Sequence, residues 1–264
     1  MCKKKIGLLL LLLLPQLVAA RAVVLIQGFH GYGHEWRDSG VAHVLLANGW
    51  ADGGHLFDTP LSPFQIGVTG REDQLLGDNF YTLSLPSEAP LLVQLTPLVQ
   101  TVARIAKRHE GEPLVLVGHS VGGLLARLLV IYHPEIKVAA VVTIATPHLG
   151  AALAEVGEFV GDTPLGMMAP MFGADSVNRA NRLLGEIGRE EPGMLLFWLN
   201  RQPHPALRYI SLIHMSDSVV ARYSQDMNQV PALAGRAETL TTYGGHSLNI
   251  SDGHLLAGIL ATIN

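Results

Sequence analysis

The chain has 264 residues, 48 % of them hydrophobic and 15 % charged, and a formal net charge of -4. That length suits one large domain, and the composition supplies ample core, which excludes a disordered chain. The charge offers no argument for nucleic acid or for an anionic membrane surface as a partner.

The first residues read as a targeting segment. Lys3, Lys4 and Lys5 make a positive start, Ile6 to Leu14 an apolar stretch, and Val18-Ala19-Ala20 put small residues before a cut at Arg21. The apolar stretch is shorter than the roughly 20 residues that cross a membrane. Residues 1–20 are therefore expected to leave as a signal peptide, with no stable membrane span afterwards and a periplasmic or secreted destination. Cys2 leaves with them, so no disulfide is expected in the mature domain, residues 21–264.

Val23 to Ile26 is apolar and β-branched, as a buried parallel strand requires. It runs into a glycine-rich loop, Gly28 to Trp36. His30 and His34 lie four apart there, but the loop is not helical and lacks the H-E-x-x-H pattern, so no zinc site is expected. Ser39 to Ala47 predicts a helix stopped by Asn48-Gly49. Leu56-Phe57 and Phe80 to Leu85 read as strands around a stretch, 58–78, rich in Gly, Pro and polar residues; their pairing is open. Pro97 predicts the start of a helix with Leu98, Val102, Ile105 and Ala106 on its core face.

The most informative stretch is Leu114 to Leu129. Four apolar residues, Leu114 to Val117, predict a strand, and Leu124 onward predicts a helix free of Gly and Pro. Between them stands Gly118-His119-Ser120-Val121-Gly122-Gly123. A serine flanked by glycines two before and two after, between strand and helix, is the pattern of a nucleophile elbow. The turn lifts the hydroxyl above the sheet edge, and the glycines let the two backbones pass closely. The helix N-terminus then aims N–H groups and a partial positive charge where an oxyanion would form. Gly245-His246-Ser247 repeats the letters G-H-S without the trailing glycine or the strand.

On these residues, GHSVGGLLAR resembles the elbow of the α/β-hydrolase superfamily, in particular its bacterial lipases and esterases. The resemblance implies a mostly parallel central sheet flanked by helices, and a Ser, acid, His order along the chain. It also implies that the residue after the first strand's glycine gives a backbone N–H to the oxyanion. Gln27-Gly28-Phe29 with Trp36 fits the spacing, with Gln where the family usually has His. That points to Phe29, with Val121 as the second donor; His30-Gly31-Tyr32 is the competing register.

Ile136 to Ala145 predicts the next buried strand, followed by Thr146-Pro147-His148-Leu149-Gly150, which resembles the segment beside the active site in lipases. His148 precedes any plausible acid, so it is read as a cleft-wall or hydrogen-bonding residue. Residues 151–205 are read as a lid or cap insertion, with helices over roughly 151–160 and 176–188. Its Met167, Met168, Met171 and Met194 would suit a loose acyl-chain site or form the insertion's own small core.

Leu207 to His214 predicts another core strand. Asp217, just past it and two residues before Val219-Val220, resembles the family's acid; Asp226 is the fallback. Thr239 to Tyr243 predicts the last strand. His246 lies between it and a helix predicted over 253–263, where the family's base lies; His254 is the rival. Asp252 is expected to cap that helix.

The expected chemistry is ester hydrolysis through an acyl-enzyme on a small-molecule or lipid ester, with no cofactor and no metal. An amidase, thioesterase or polyester depolymerase would use the same residues, and a non-catalytic binding protein could keep the fold.

Overall fold

The computed structural model describes residues 21–29, 31, 33–57, 65–66, 77–151 and 174–263, with 65–66 and 174–179 described as backbone alone. The expected signal peptide, the helix over 151–160, and Met167, Met168 and Met171 lie outside the described residues.

Among the described residues, eight strands form one sheet: β1 (Ala22–Ile26), β2 (Ala51–Phe57), β3 (Gln65–Ile66), β4 (Asn79–Ser84), β5 (Leu114–His119), β6 (Val138–Ile144), β7 (Arg208–His214) and β8 (Ala237–Thr242). Their spatial order is β3-β2-β4-β1-β5-β6-β7-β8. The seven strands from β2 to β8 in that order run parallel, and β3 is an antiparallel edge on β2. The helices are α1 (Glu35–Asp38), α2 (Val41–Ala47), α3 (Leu91–Arg108), α4 (Val121–Tyr132), α5 (Ala174–Gly188), α6 (Leu195–Leu199), α7 (Arg222–Gln225) and α8 (Ile250–Leu260).

The central strands are buried on both faces, so they read as continuous apolar runs rather than alternating ones. Their side chains still divide by parity. Ala22, Val24, Ile26, Leu114 and Leu116 join the core formed with α3 and α4. Val23, Leu25, Val115 and Val117 join the opposite core, with Trp36, α2 and α8.

Three expectations are corrected at element ends. The helix expected over 39–47 starts at Val41 as α2, because Gly40 stands before it at φ 85°, and the short α1 precedes it separately. Pro97 does not open α3 but sits inside it. Leu91 and Leu95 are buried on the same core face as Leu98, Val102 and Ile105, and that burial carries the helix across the proline. Glu186 of α5 accepts the Leu91 N–H at 2.7 Å and satisfies the new N-terminus. Asp252 is not the N-cap of α8. Asn249 caps it, and Asp252 returns the bond as the third helical residue of a capping box, accepting the Asn249 N–H at 2.8 Å.

Between β6 and β7 the described residues hold α5 and α6. Leu183, Ile187, Leu196 and Leu199 are buried in the main core. The remainder of the expected lid, 152–173, lies outside the described residues.

Candidate active site

In open parallel sheets, sites form outside the carboxyl ends of the strands. Ser120 stands at the carboxyl end of β5 and is the residue before α4. Its backbone has φ 49° and ψ -123°, a conformation that costs a non-glycine residue on the order of 1–3 kcal/mol. Its neighbours impose that shape. A Cβ at Gly118 would come 2.3 Å from the backbone of Gly122, and one at Gly122 would come 2.4 Å from the Ile26 carbonyl oxygen. The two glycines of the elbow are therefore steric requirements of packing β5, α4 and β1 together.

Three side chains distant in sequence meet at this point. The Ser120 hydroxyl lies 3.0 Å from His246 Nε2, and His246 Nδ1 lies 2.9 Å from Asp217 Oδ2. His246 is on the loop after β8, and Asp217 on the loop after β7. The Asp217 side chain is buried. Its Oδ1 accepts the N–H groups of Val219 at 2.8 Å and Val220 at 3.0 Å, and its Oδ2 also accepts from Gln225 Nε2 at 3.1 Å.

The electrostatics separate the two groups. Burial alone would raise the Asp217 carboxyl, but its bond to and the charge of His246, with the two amides, hold it below the ordinary carboxylate value. Burial pushes the His246 imidazole below its ordinary value, and His119 and His214 push the same way against the pull of Asp217. Such a set supplies a neutral, oriented base beside a hydroxyl and an ionised carboxylate behind the base.

The other candidates lie elsewhere. Asp226 binds the Asn228 N–H and the Thr239 hydroxyl, and His254 is exposed on α8. His148 is fully buried, between the Arg127 guanidinium at 3.1 Å and the Thr143 hydroxyl at 3.1 Å. Burial first, then Arg127 and His204, hold its ring well below the ordinary value. His34 is exposed and stacks on His55, while His30 and Tyr32 lie outside the described residues.

Val121 is the first residue of α4, so its N–H has no partner four residues back. Beyond β1 the chain turns, with the Gly31 N–H on the Gly28 carbonyl at 3.2 Å. The Gly28 N–H is given to Glu35 Oε1 at 2.8 Å. A Cβ at Gly28 would come 3.1 Å from the Ser120 Cβ, so the start of the Phe29 turn passes within contact of the serine.

Sequence reasoning missed several supporting residues. Gln225 accepts the His214 N–H at 2.8 Å and donates to the Val220 carbonyl at 2.7 Å as well as to Asp217. His119 and His214 bind carbonyls of the His246 loop, and Glu35 stands behind His119. Arg127, fully buried on α4, donates to three neutral groups, His204, His148 and Asn200. The G-H-S triplet exhibited His119, but nothing in the sequence told what it would touch.

The fold is that of the α/β hydrolases. The profile of the PGAP1-like alpha/beta domain family matches residues 87–160, which span the elbow and the strands on either side. The chain superposes on a Bacillus licheniformis lipase in its mature form with a TM-score of 0.60 at 16 % identity, covering 92 % of this chain and 91 % of that one. It superposes on a Pyrococcus furiosus esterase with a TM-score of 0.58 at 12 % identity, over 92 % and 81 %. The thioesterase domain from the curacin biosynthetic pathway gives 0.51 at 16 % identity, over 92 % and 91 %. No curated protein matches the sequence significantly. No described helix is long and apolar enough to cross a membrane.

Proposed function

We propose that the chain is a serine hydrolase that cleaves carboxylic esters through an acyl-enzyme. The observation that carries this reading is the continuous line Ser120 Oγ, His246, Asp217, with links of 3.0 and 2.9 Å, built on a strained serine backbone.

His246 takes the Ser120 proton as the oxygen attacks the ester carbonyl carbon. Asp217, below its ordinary value and fixed by two amides, keeps the imidazole in the tautomer whose Nε2 faces the serine. The Val121 and Phe29 N–H groups receive the developing oxyanion, each worth on the order of 3 kcal/mol of barrier. His246 then protonates the leaving alcohol. Water enters, gives its proton to His246 and releases the acid from Ser120. The same groups would cleave a thioester, and the likeness to a thioesterase domain makes that the second substrate to try.

The test is hydrolysis of short-chain p-nitrophenyl esters, with the thioester analogue in parallel, by wild type and Ser120→Ala. The variant is expected to lose on the order of 10⁴ to 10⁶ in kcat while melting as wild type does. Turnover that survives the substitution rejects Ser120 as nucleophile.

A further inference from the structure

The loop that carries His246 runs between β8 and α8 without regular structure of its own. Two consecutive carbonyls of that loop are each taken by a buried imidazole. His119 Nε2 donates to the His246 carbonyl at 2.9 Å, and His214 Nδ1 donates to the Gly245 carbonyl at 2.6 Å. His119 ends β5, one residue before Ser120, and His214 ends β7, three residues before Asp217. The strands that deliver the other two members of the triad thus also reach across to the third.

The far nitrogen of each ring faces a carboxylate. His119 Nδ1 lies 3.1 Å from Glu35 Oε2, and His214 Nε2 lies 2.8 Å from Asp252 Oδ1. The second oxygen of each carboxylate accepts a backbone N–H at 2.8 Å, from Gly28 for Glu35 and from Asn249 for Asp252. The two chains of contacts are alike: backbone amide, carboxylate, imidazole, loop carbonyl. A carbonyl only accepts, so the near nitrogen of each ring carries a proton, and the far nitrogen faces its carboxylate. Both nitrogens of each ring are thus engaged away from the Ser120 hydroxyl.

We propose that His119 and His214 form a carboxylate-backed clamp that positions the catalytic His246 by gripping the carbonyls of residues 245 and 246. The proposal rests on the triad reading above and gives both histidines the role of positioning residues. The clamp also brings charge. The His119 ring is 5.4 Å from the His246 ring, and the charge of Glu35 and its bond hold His119 above the ordinary value despite burial. The titratable groups facing His246 are Asp217, His119 and His214, with Glu35 and Asp252 behind the two rings. Fixing a base to within a fraction of an ångström is worth much, since a misplacement of about 1 Å costs about 100-fold in rate.

The test is the pH profile of kcat and kcat/KM on a soluble ester for wild type, Glu35→Gln, His119→Gln, Asp252→Asn and His214→Gln, with Ser120→Ala as control. In Glu35→Gln and Asp252→Asn the new amide donates to the far nitrogen, so the grip on the carbonyl survives while the charge goes. Both are expected to keep kcat within about threefold, and Glu35→Gln to move the acid limb to higher pH by roughly one unit, because the His119 cation beside the base is lost. The two histidine variants are expected to lose about 10- to 100-fold in kcat with KM changed less than about twofold. An acid limb that overlays wild type in Glu35→Gln overturns the proposal, as does a kcat in His119→Gln and His214→Gln equal to wild type. If a histidine variant fails to fold, the acid limb of Glu35→Gln decides the matter. Turnover surviving in Ser120→Ala defeats the triad reading itself; a dead Ser120→Ala with unmoved limbs defeats the clamp alone.

Discussion

At the scale of single residues, the proposed mechanism makes the protonation of His246 the acid limit of the reaction. Its free imidazole would titrate at 6.5, and burial, His119 and His214 together outweigh Asp217 and lower that value. A general base works only when neutral, so a lowered value extends activity toward acid. The plateau of kcat/KM is expected to persist below pH 6.5 and to fall only as the pH drops through the folded value. A half-fall at or above 6.5 in the wild-type profile contradicts this. Ser120 and His246 were legible in the sequence because each is marked locally, one by paired glycines and the other by its place before the last helix. Asp217 needed the added clue of Val219-Val220, whose N–H groups turn out to bind its carboxylate. Gln225, Glu35 and His214 carried no such mark, because what they do depends on partners 8 to 84 positions away in the chain.

At the scale of elements, the elbow helix α4 is tied to its surroundings by one buried cation. Arg127 joins α4 to the segment after β6 through His148 and to the residues after α6 through Asn200 and His204. Desolvation lowers the guanidinium to about 9, still a cation at neutral pH. Both histidines accept from it and must stay neutral, since a second charge there would be buried beside the first. Desolvation, then the Arg127 charge, takes His204 from 6.5 to about 4. A lowered folded value means that the unfolded chain binds the proton first. The contribution of His204 is therefore complete above pH 6.5 and is lost as the pH falls from 6.5 through about 4. The stability read from urea unfolding at about pH 7, 5.5 and 4.5 is expected to fall by about 2 kcal/mol across the series, and His204→Asn to flatten that slope. An equal slope in the variant contradicts the assignment. Element types were mostly legible, because apolar runs and helical spacing are local signals. The start of α3 was not, since a proline marks a helix start only when tertiary burial does not extend the helix past it. Leu91 and Leu95 supply that burial.

At the scale of the whole molecule, strand order explains how the site is assembled. β1 and β5 are neighbours at the centre of the sheet and bring the Phe29 turn to the elbow, while β7 and β8 pair at one side and bring Asp217 and His246. The pairing of β2 with β4 was not readable in advance, because strand pairing is a non-local choice. Arg21 closes the sheet's start against the chain's end. Its guanidinium pairs with Asp78 and donates to the carbonyls of Leu260 at 3.0 Å and Ile263 at 2.6 Å. The central claim is that Ser120 becomes covalently acylated with His246 as its base. Its most direct test is labelling with a fluorophosphonate ester, followed by digestion and mass spectrometry of wild type and His246→Ala. The label is expected on the peptide containing Ser120 in wild type and to be nearly absent in the variant. Label on another residue, or equal labelling without the imidazole, would contradict the account.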